Sequence, residues 1–195
     1  MADDKIHNHE LLGCAHIWVP VKGNERQENE ARNQMKLSAI SESTGVKIRL
    51  LAQTGYSFLC SRGIFYTQMW KHLDQDGTLD ILIPGLSMGD IILTKEEIQN
   101  KEAKYAMSMN GYSRLKKEFG DQINLKTIDF DIPATILITK NFCFFEPYTG
   151  ITADREKLLF ISFEMLFDKR IAEHGYNLMK KYFSHLYSKA EGICN

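Results

Sequence analysis

Short apolar segments alternate with longer helical patterns along this 195-residue chain. Residues 46–52 and 79–84 are compact apolar runs, of the kind that form buried strands in parallel sheets. Residues 61–73 and 95–119 carry apolar side chains at helical spacing, and Gly111 is a predicted weak point in the second helix. Strands that alternate with helices predict an α/β domain with a mixed β-sheet flanked by helices.

The rest of the chain predicts further elements around this centre. Residues 15–21 are a candidate for a short strand or packed arm, and a polar helix with a thin apolar stripe runs from about residue 24 to residue 43. Strands are predicted at 123–128, 134–139, 142–145 and 158–167, with Lys140 and Asn141 as a hairpin turn in which Asn tolerates a positive φ. A closing helix over 169–189 is predicted to place its apolar stripe along one side: Ile171, Leu178, Tyr182 and Leu186.

Composition excludes several classes of protein. The hydrophobic and charged fractions, 44% and 25%, are ordinary for a globular domain, and the formal charge of −1 argues against a general nucleic-acid binder. No basic leader precedes an apolar run, and no segment reaches the roughly 18 apolar residues of a membrane span. The four cysteines lack a Cys-x-x-Cys pair, so we expect a cytoplasmic protein with reduced thiols and no membrane partner.

Several local segments resemble one half of the phospholipase D-like superfamily. They are the strand at 48–51 running into Thr54 and Gly55, the strand at 79–84 after a helix, the hairpin at 134–145, and the terminal segment 179–187. The last two are most similar to the sensor-type domains found with bacterial helix-turn-helix regulators. The resemblance covers about residues 45–190, so we divide the chain into an N-terminal arm and helix, 1–44, and a phospholipase D-like half-unit, 45–195.

The family's catalytic motif is missing from this chain. Active members carry His-x-Lys-x-x-x-x-Asp at the hairpin, where this chain has Ala134, Ile136 and Asn141. Alanine cannot act as the histidine nucleophile, so the resemblance implies a catalytically degenerate domain. We expect a ligand-binding or sensor module for a phosphorylated or nucleotide-type ligand, with no cofactor. A structural subunit that docks through its N-terminal helix, or an enzyme using His72 or Glu146 on phosphodiester bonds, are the alternatives.

Polar residues at two predicted strand ends form the candidate ligand site. Ligands of open α/β sheets bind outside the carboxyl ends of strands, and hydroxyls beside a helix start suit an anion. An ordinary capped turn at 53–58 and a strand terminator at Pro147 are the alternative interpretations. The predicted ligand-binding residues are Thr54, Tyr56, Ser57, Ser61, Arg62, Glu146 and Tyr148, with the loop at 85–90 as a facing wall.

Two other clusters carry weaker signals. The spacing of His7, His9, Cys14 and His16 is compatible with zinc ligands but matches no finger spacing, so no metal site is predicted. A solvated helix face explains the basic residues better than phosphate binding does: Arg114, Lys116, Lys117, Lys180 and Lys181. In active family members two units build one cleft, so the resemblance implies a homodimer with its two-fold axis near the closing helix and residues 134–148.

Overall fold

The computed structural model describes residues 14–18, 25–85, 95–129, 132, 134–147 and 163–192. Within these residues, eight strands form one mixed sheet in the order β1-β7-β6-β5-β2-β3-β4-β8. The strands are β1 (His16–Trp18), β2 (Lys47–Leu51), β3 (Thr78–Pro84), β4 (Ile123–Ile128), β5 (Ala134–Ile138), β6 (Phe142–Pro147), β7 (Glu164–Asp168) and β8 (Glu191–Gly192). The helices are α1 (Glu25–Ser41), α2 (Tyr56–Leu59), α3 (Tyr66–Asp74), α4 (Lys95–Phe119) and α5 (Glu173–Lys189).

The centre of the sheet is parallel and its flanks are antiparallel. Strand β2 pairs in parallel with β3, and β3 pairs in parallel with β4, because helices cross between them. Strands β5, β6 and β7 continue the sheet as antiparallel neighbours. The predicted mixed sheet flanked by helices is therefore confirmed.

Helices cover both faces of the sheet. Ile48 and Leu50 point toward the face covered by α1 to α4, where Ile40, Met69 and Leu115 pack against them. Leu51, Leu82 and Ile136 point to the opposite face, beneath α5. This alternation follows from the period of two along a strand and gives a three-layer α/β/α arrangement with two apolar cores. In the described part of the chain, no helix is both long enough and apolar enough to cross a membrane.

The closing helix buries a different face from the predicted one. Ile171, Leu178 and Tyr182 are exposed, whereas Tyr176, Phe183 and Leu186 pack into the core beneath the sheet. The sequence of α5 contains two apolar stripes, and periodicity alone does not say which one meets the sheet. The tyrosine selects the orientation, because its hydroxyl donates a 2.7 Å hydrogen bond to the carbonyl of Thr139 at the β5–β6 turn.

Two local predictions also differ from the structure. The helix predicted over 61–73 begins only at Tyr66, because the backbone N–H of Phe65 donates to the carbonyl of Ser57 at 2.9 Å and turns the chain back beside the short helix α2. The hairpin turn at Lys140 and Asn141 is present, but Asn141 keeps a negative φ. Asp76 is the one non-glycine residue with a positive φ in the described ranges.

The described parts of the first 44 residues pack against the rest of the chain. Strand β1 pairs antiparallel with β7, and the backbone N–H of Ala15 donates to the carbonyl of Leu166 at 2.7 Å. Helix α1 lies on the same sheet face as α3 and buries Ala39 and Ile40 there. The division of the chain at residue 44 stays a prediction.

Candidate ligand-binding site

A tight turn follows the carboxyl end of β2. Gly55 adopts a left-handed conformation with φ 67°, which side chains with a Cβ rarely adopt. Its carbonyl accepts the backbone N–H groups of Phe58 and Leu59 at 3.0 and 2.9 Å, so α2 begins directly after it. The turn leaves Thr54, Tyr56 and Ser57 half-buried at the edge of the sheet.

These three residues surround one depression of about 190 Å³. Thr135 of β5 forms the facing wall of this depression. Thr135 is the direct cross-strand partner of Glu146 on β6, and such partners project from the same face of a sheet. The structure thus brings Thr54, Tyr56 and Ser57 together and places Glu146 one strand away from them.

Four charged side chains, the charge cluster, meet under α1, and Glu146 among them is the cross-strand partner of Thr135 in the wall of this depression. Arg32 and Lys36 come from α1, one helical turn apart, and Glu146 and Glu164 come from β6 and β7. The Nζ atom of Lys36 lies 2.6 Å from Oε1 of Glu164 and 3.6 Å from Oε2 of Glu146. The Nη1 atom of Arg32 lies 3.7 Å from Oε2 of Glu164 and 4.0 Å from Oε1 of Glu146.

Burial differs sharply within the charge cluster. The side chains of Arg32 and Lys36 are 10% and 7% exposed and that of Glu164 is fully buried, whereas Glu146 is 30% exposed. Burial raises the pKa of Glu164, and the nearby charge of Glu146 raises it further, while Lys36 and Arg32 lower it. Glu146 is therefore the carboxylate in this cluster that solvent or a ligand reaches most easily.

Three buried atoms of the charge cluster lack a well-formed hydrogen bond among the described residues: Nη1 of Arg32 and both carboxylate oxygens of Glu164. The Nη2 atom of Arg32 donates to the side chain of Asn29, but its buried Nη1 atom finds no acceptor among the described residues. An unsatisfied buried donor costs about 1–3 kcal/mol, and more when it carries charge. An oxygen of a bound anion would supply the missing acceptor.

The sequence indicates this charge cluster only weakly, because its two cations lie in a mostly polar segment. Arg32 and Lys36 lie in a stretch that reads as a solvated polar helix. Glu164 is the stronger clue, because it interrupts the predicted apolar strand 158–167. A buried carboxylate needs a cationic partner, and periodicity does not name the partner.

The remaining predicted site residues lie elsewhere. Ser61 and Arg62 line a separate depression against α4, not the one around Thr54. Tyr148 and the predicted facing wall at 86–90 lie outside the described residues. The binding roles of all seven residues stay predictions.

Three positions that bear on catalysis are buried. Ala134 and Ile136, which occupy the places of the family's His and Lys, are buried, and Ile136 packs in the core under α5. His72 is also buried, and its Nε2 atom lies 3.2 Å from the carbonyl oxygen of Thr78. Burial lowers the pKa of His72, although hydrogen bonds with the backbone of Thr78 and Ser43 oppose that shift. A neutral imidazole packed in the core is not placed to attack a substrate.

The described members of the two weaker clusters have different surroundings. Cys14 is buried and His16 is exposed against Trp18, with ring centroids 4.6 Å apart, whereas His7 and His9 lie outside the described residues. The described ranges contain no group of three His, Cys, Asp or Glu side chains that could hold a metal ion. Lys116 is structural, since its Nζ atom donates to the carbonyl of Ile123 at 3.1 Å.

Comparisons with known proteins give structural neighbours but no sequence relatives. No protein-family model and no curated protein matches this chain. NucT from Helicobacter pylori is similar with a TM-score of 0.57 at 13% identity, over 91% of this chain and 98% of NucT. Nuc from Salmonella typhimurium, a phospholipase D family member, has a TM-score of 0.50 at 13% identity, over 92% and 97% of the two chains.

A third neighbour is longer than this chain. TrmBL2, an archaeal chromatin protein whose structure shows a novel mode of DNA binding, has a TM-score of 0.52 at 18% identity. The match covers 97% of this chain but only 61% of TrmBL2. These likenesses agree with the mixed eight-stranded sheet between two helical layers. The chain therefore has a phospholipase D-like α/β fold.

Proposed function

We propose that this protein is a catalytically degenerate phospholipase D-like module that binds a small phosphorylated or nucleotide-type ligand, as a sensor domain does. The observation that carries the proposal is the buried Nη1 atom of Arg32, a charged donor without an acceptor in the described structure. It lies 4.0 Å from Glu146, which is the cross-strand partner of Thr135 in the wall of the depression around Thr54, Tyr56 and Ser57. Guanidinium groups form their strongest hydrogen bonds with carboxylate and phosphate oxygens.

An incoming phosphate would replace Glu146 at the cluster. The distances from Glu146 to Lys36 and Arg32, 3.6 and 4.0 Å, exceed hydrogen-bond length, and its side chain is partly exposed. Glu164, by contrast, is held at 2.6 Å by Lys36. Displacing the weakly held carboxylate would leave two cations facing the ligand and one buried carboxylate balancing them.

The absence of the nucleophile supports binding without hydrolysis. Ala134 and Ile136 are buried, and neither carries a group that attacks phosphorus. We expect purified protein not to hydrolyse bis-(p-nitrophenyl) phosphate. Turnover that disappears in Glu146→Gln would show instead an enzyme with non-standard residues.

Calorimetric titration with AMP, with adenosine as the uncharged control, tests the binding site. We expect AMP to bind and adenosine to bind at least tenfold more weakly, since the phosphate supplies the acceptor that Arg32 lacks. Arg32→Gln should abolish binding at the charge cluster, whereas Glu146→Gln should tighten binding there by removing the competing carboxylate. Arg26→Gln, an exposed arginine of the same helix paired with Glu30, is the matched control and should change nothing. Equal affinity for AMP and adenosine, or weaker binding by Glu146→Gln, would refute the proposal.

A second candidate function, assembly through the closing helix, rests on the exposed apolar stripe of α5. Ile171, Leu178 and Tyr182 lie on the outside of the molecule, and exposed apolar patches commonly mark interfaces. We propose a homodimer with α5 and the β5–β6 hairpin near its two-fold axis. Sedimentation equilibrium should give twice the 22.5 kDa chain mass, and Leu178→Glu should return it to the chain mass. A wild-type mass of 22.5 kDa at all loadings would contradict the dimer.

The first 44 residues are proposed to act as an arm that completes the domain. Their removal would take away β1 and the two cations of the charge cluster, leaving Glu164 buried without Lys36. We expect the truncated chain to associate or become insoluble, which light scattering would show. A monodisperse, cooperatively folding truncation would contradict this role.

Nucleic acid is not the expected partner, although TrmBL2 binds DNA. The formal charge of −1 gives little net attraction to a phosphate backbone. A gel-shift assay with duplex DNA should show no complex. We also propose a cytoplasmic location, supported by the free thiols of Cys14, Cys60 and Cys143.

A further inference from the structure

A second depression, of about 230 Å³, lies between the turn after α2 and the middle of α4. Two arginines line it, Arg62 from the turn and Arg114 from the helix. These two residues are 52 positions apart in the sequence, and only the packing of α2 against α4 brings them to one place. The lining residues are Cys60, Ser61, Arg62, Met107, Asn110, Gly111 and Arg114.

The backbone that carries these side chains is held firmly. Gly111 of α4 packs directly on the carbonyl of Leu59, where a Cβ would lie 1.8 Å from the oxygen. The turn carrying Arg62 is closed by a 2.7 Å hydrogen bond from the N–H of Gly63 to the carbonyl of Cys60. The two arginines therefore project from fixed positions, which lowers the entropy lost when they close on a ligand.

Both guanidinium groups lack a partner among the described residues. Neither Arg62 nor Arg114 makes a hydrogen bond or ion pair with another residue in the described part of the chain. Ser61 and Asn110 add a hydroxyl and an amide beside them, and the depression has no carboxylate in its lining. Two unpaired cations with neutral donors at one depression suit a doubly charged anion.

The shape of the depression restricts the rest of the ligand. Its volume is below the about 300 Å³ at which drug-sized sites begin, so it encloses a phosphate and leaves most of the attached group at its rim. Met107 is 43% exposed at its rim, and a thioether side chain packs well against a flat aromatic group. We infer that the depression is a binding site for a phosphate monoester with one planar group, such as a nucleoside monophosphate. The site is separate from the one under α1 and does not depend on it.

NMR titration of the full chain tests this site. Inorganic phosphate and AMP are the probes, and the Nε–Hε signals of Arg62 and Arg114 and the backbone amide of Gly111 are the readouts. We expect all three signals to shift with both probes. Arg62→Gln and Arg114→Gln should each weaken AMP binding about tenfold, the usual size of a charge-assisted hydrogen bond. Met107→Ala should weaken AMP binding but leave phosphate binding unchanged.

Controls separate this site from the proposed function. Arg26→Gln should change neither probe, and Arg32→Gln should leave the Gly111 shift intact even if it abolishes binding under α1. Absence of shifts at Arg62 and Arg114 would overturn the inference, as would loss of the Gly111 shift in Arg32→Gln. A single-stranded oligonucleotide that shifts these signals more strongly than AMP would overturn the assignment to a monoester.

Discussion

Gly111→Ala is the sharpest test of the packing between α2 and α4. In an ordinary helix interior, replacing glycine by alanine stabilises the fold by about 1 kcal/mol. Here the new Cβ would lie 1.8 Å from the carbonyl oxygen of Leu59 and 2.7 Å from its carbon, whereas ordinary contact begins at 3.4 Å. Both obstructing atoms belong to the backbone, so no side-chain rotation relieves the overlap.

The cost of this overlap exceeds the gain in helix propensity. Overpacking of this kind costs about 1–3 kcal/mol, and a backbone obstruction belongs at the upper end. Subtracting the helix gain leaves a net loss of about 2 kcal/mol in the free energy of unfolding. For a chain of this length the melting temperature should fall by about 4–8 °C.

Urea denaturation measures the loss, with Ala106→Gly as the matched control. Ala106 is exposed on the same helix, so its replacement by glycine should cost about 1 kcal/mol through helix propensity alone. A Gly111→Ala variant as stable as the wild type, or more stable, would refute the close approach of the two helices.

Three further predictions concern buried polar groups. Because burial lowers the pKa of His72, the unfolded chain binds the proton more readily, and stability should fall below about pH 6.5 by up to about 1.4 kcal/mol per pH unit. His72→Gln should remove that slope in urea titrations, and an unchanged slope would contradict the assignment. Lys36→Met should cost about 3 kcal/mol by removing the cation that lies 2.6 Å from the buried Glu164. The raised pKa of Glu164 should then rise further, so this deficit should grow as the pH rises above the wild-type pKa of Glu164, and a deficit independent of pH would count against it. Tyr176→Phe should cost about 1 kcal/mol by removing a 2.7 Å hydrogen bond, whereas Tyr182→Phe, at an exposed position, should cost nothing measurable by thermal melting.

The local pattern of the sequence predicts most of the elements of this fold. Strands β3 and β4 and helix α4 lie where the apolar runs and helical spacing place them. These elements are long or have a strong apolar pattern, so the secondary structure that the local sequence favours is also the one that buries their apolar side chains. The hairpin at Lys140 and Asn141 is also predicted from the local sequence. A two-residue connection is too short for a parallel crossover, so the two strands must pair antiparallel.

The sequence does not predict which face of α5 is buried or what role Gly111 has in the packing of α4. Helix α5 has two apolar stripes, and the one carrying Tyr176 faces the sheet because its hydroxyl finds an acceptor there. Gly111 was predicted to weaken α4, but the helix continues through it, and the absent side chain is what admits the backbone of Leu59. The orientation of α5 and the role of Gly111 both depend on the residues that pack against them in the fold. Those residues are distant in the sequence, so the local sequence does not reveal them.

Local sequence alone predicts the alternation of strands and helices, the lack of a His-x-Lys-x-x-x-x-Asp motif, and the polar turn after β2. These properties belong to single segments. Only the tertiary structure placed Arg32 and Lys36 against Glu146 and Glu164, and separated Arg62 from the turn at Thr54. The physical reason is that burial of charge requires partners from distant strands and helices, and which charges meet is fixed by sheet order and helix packing.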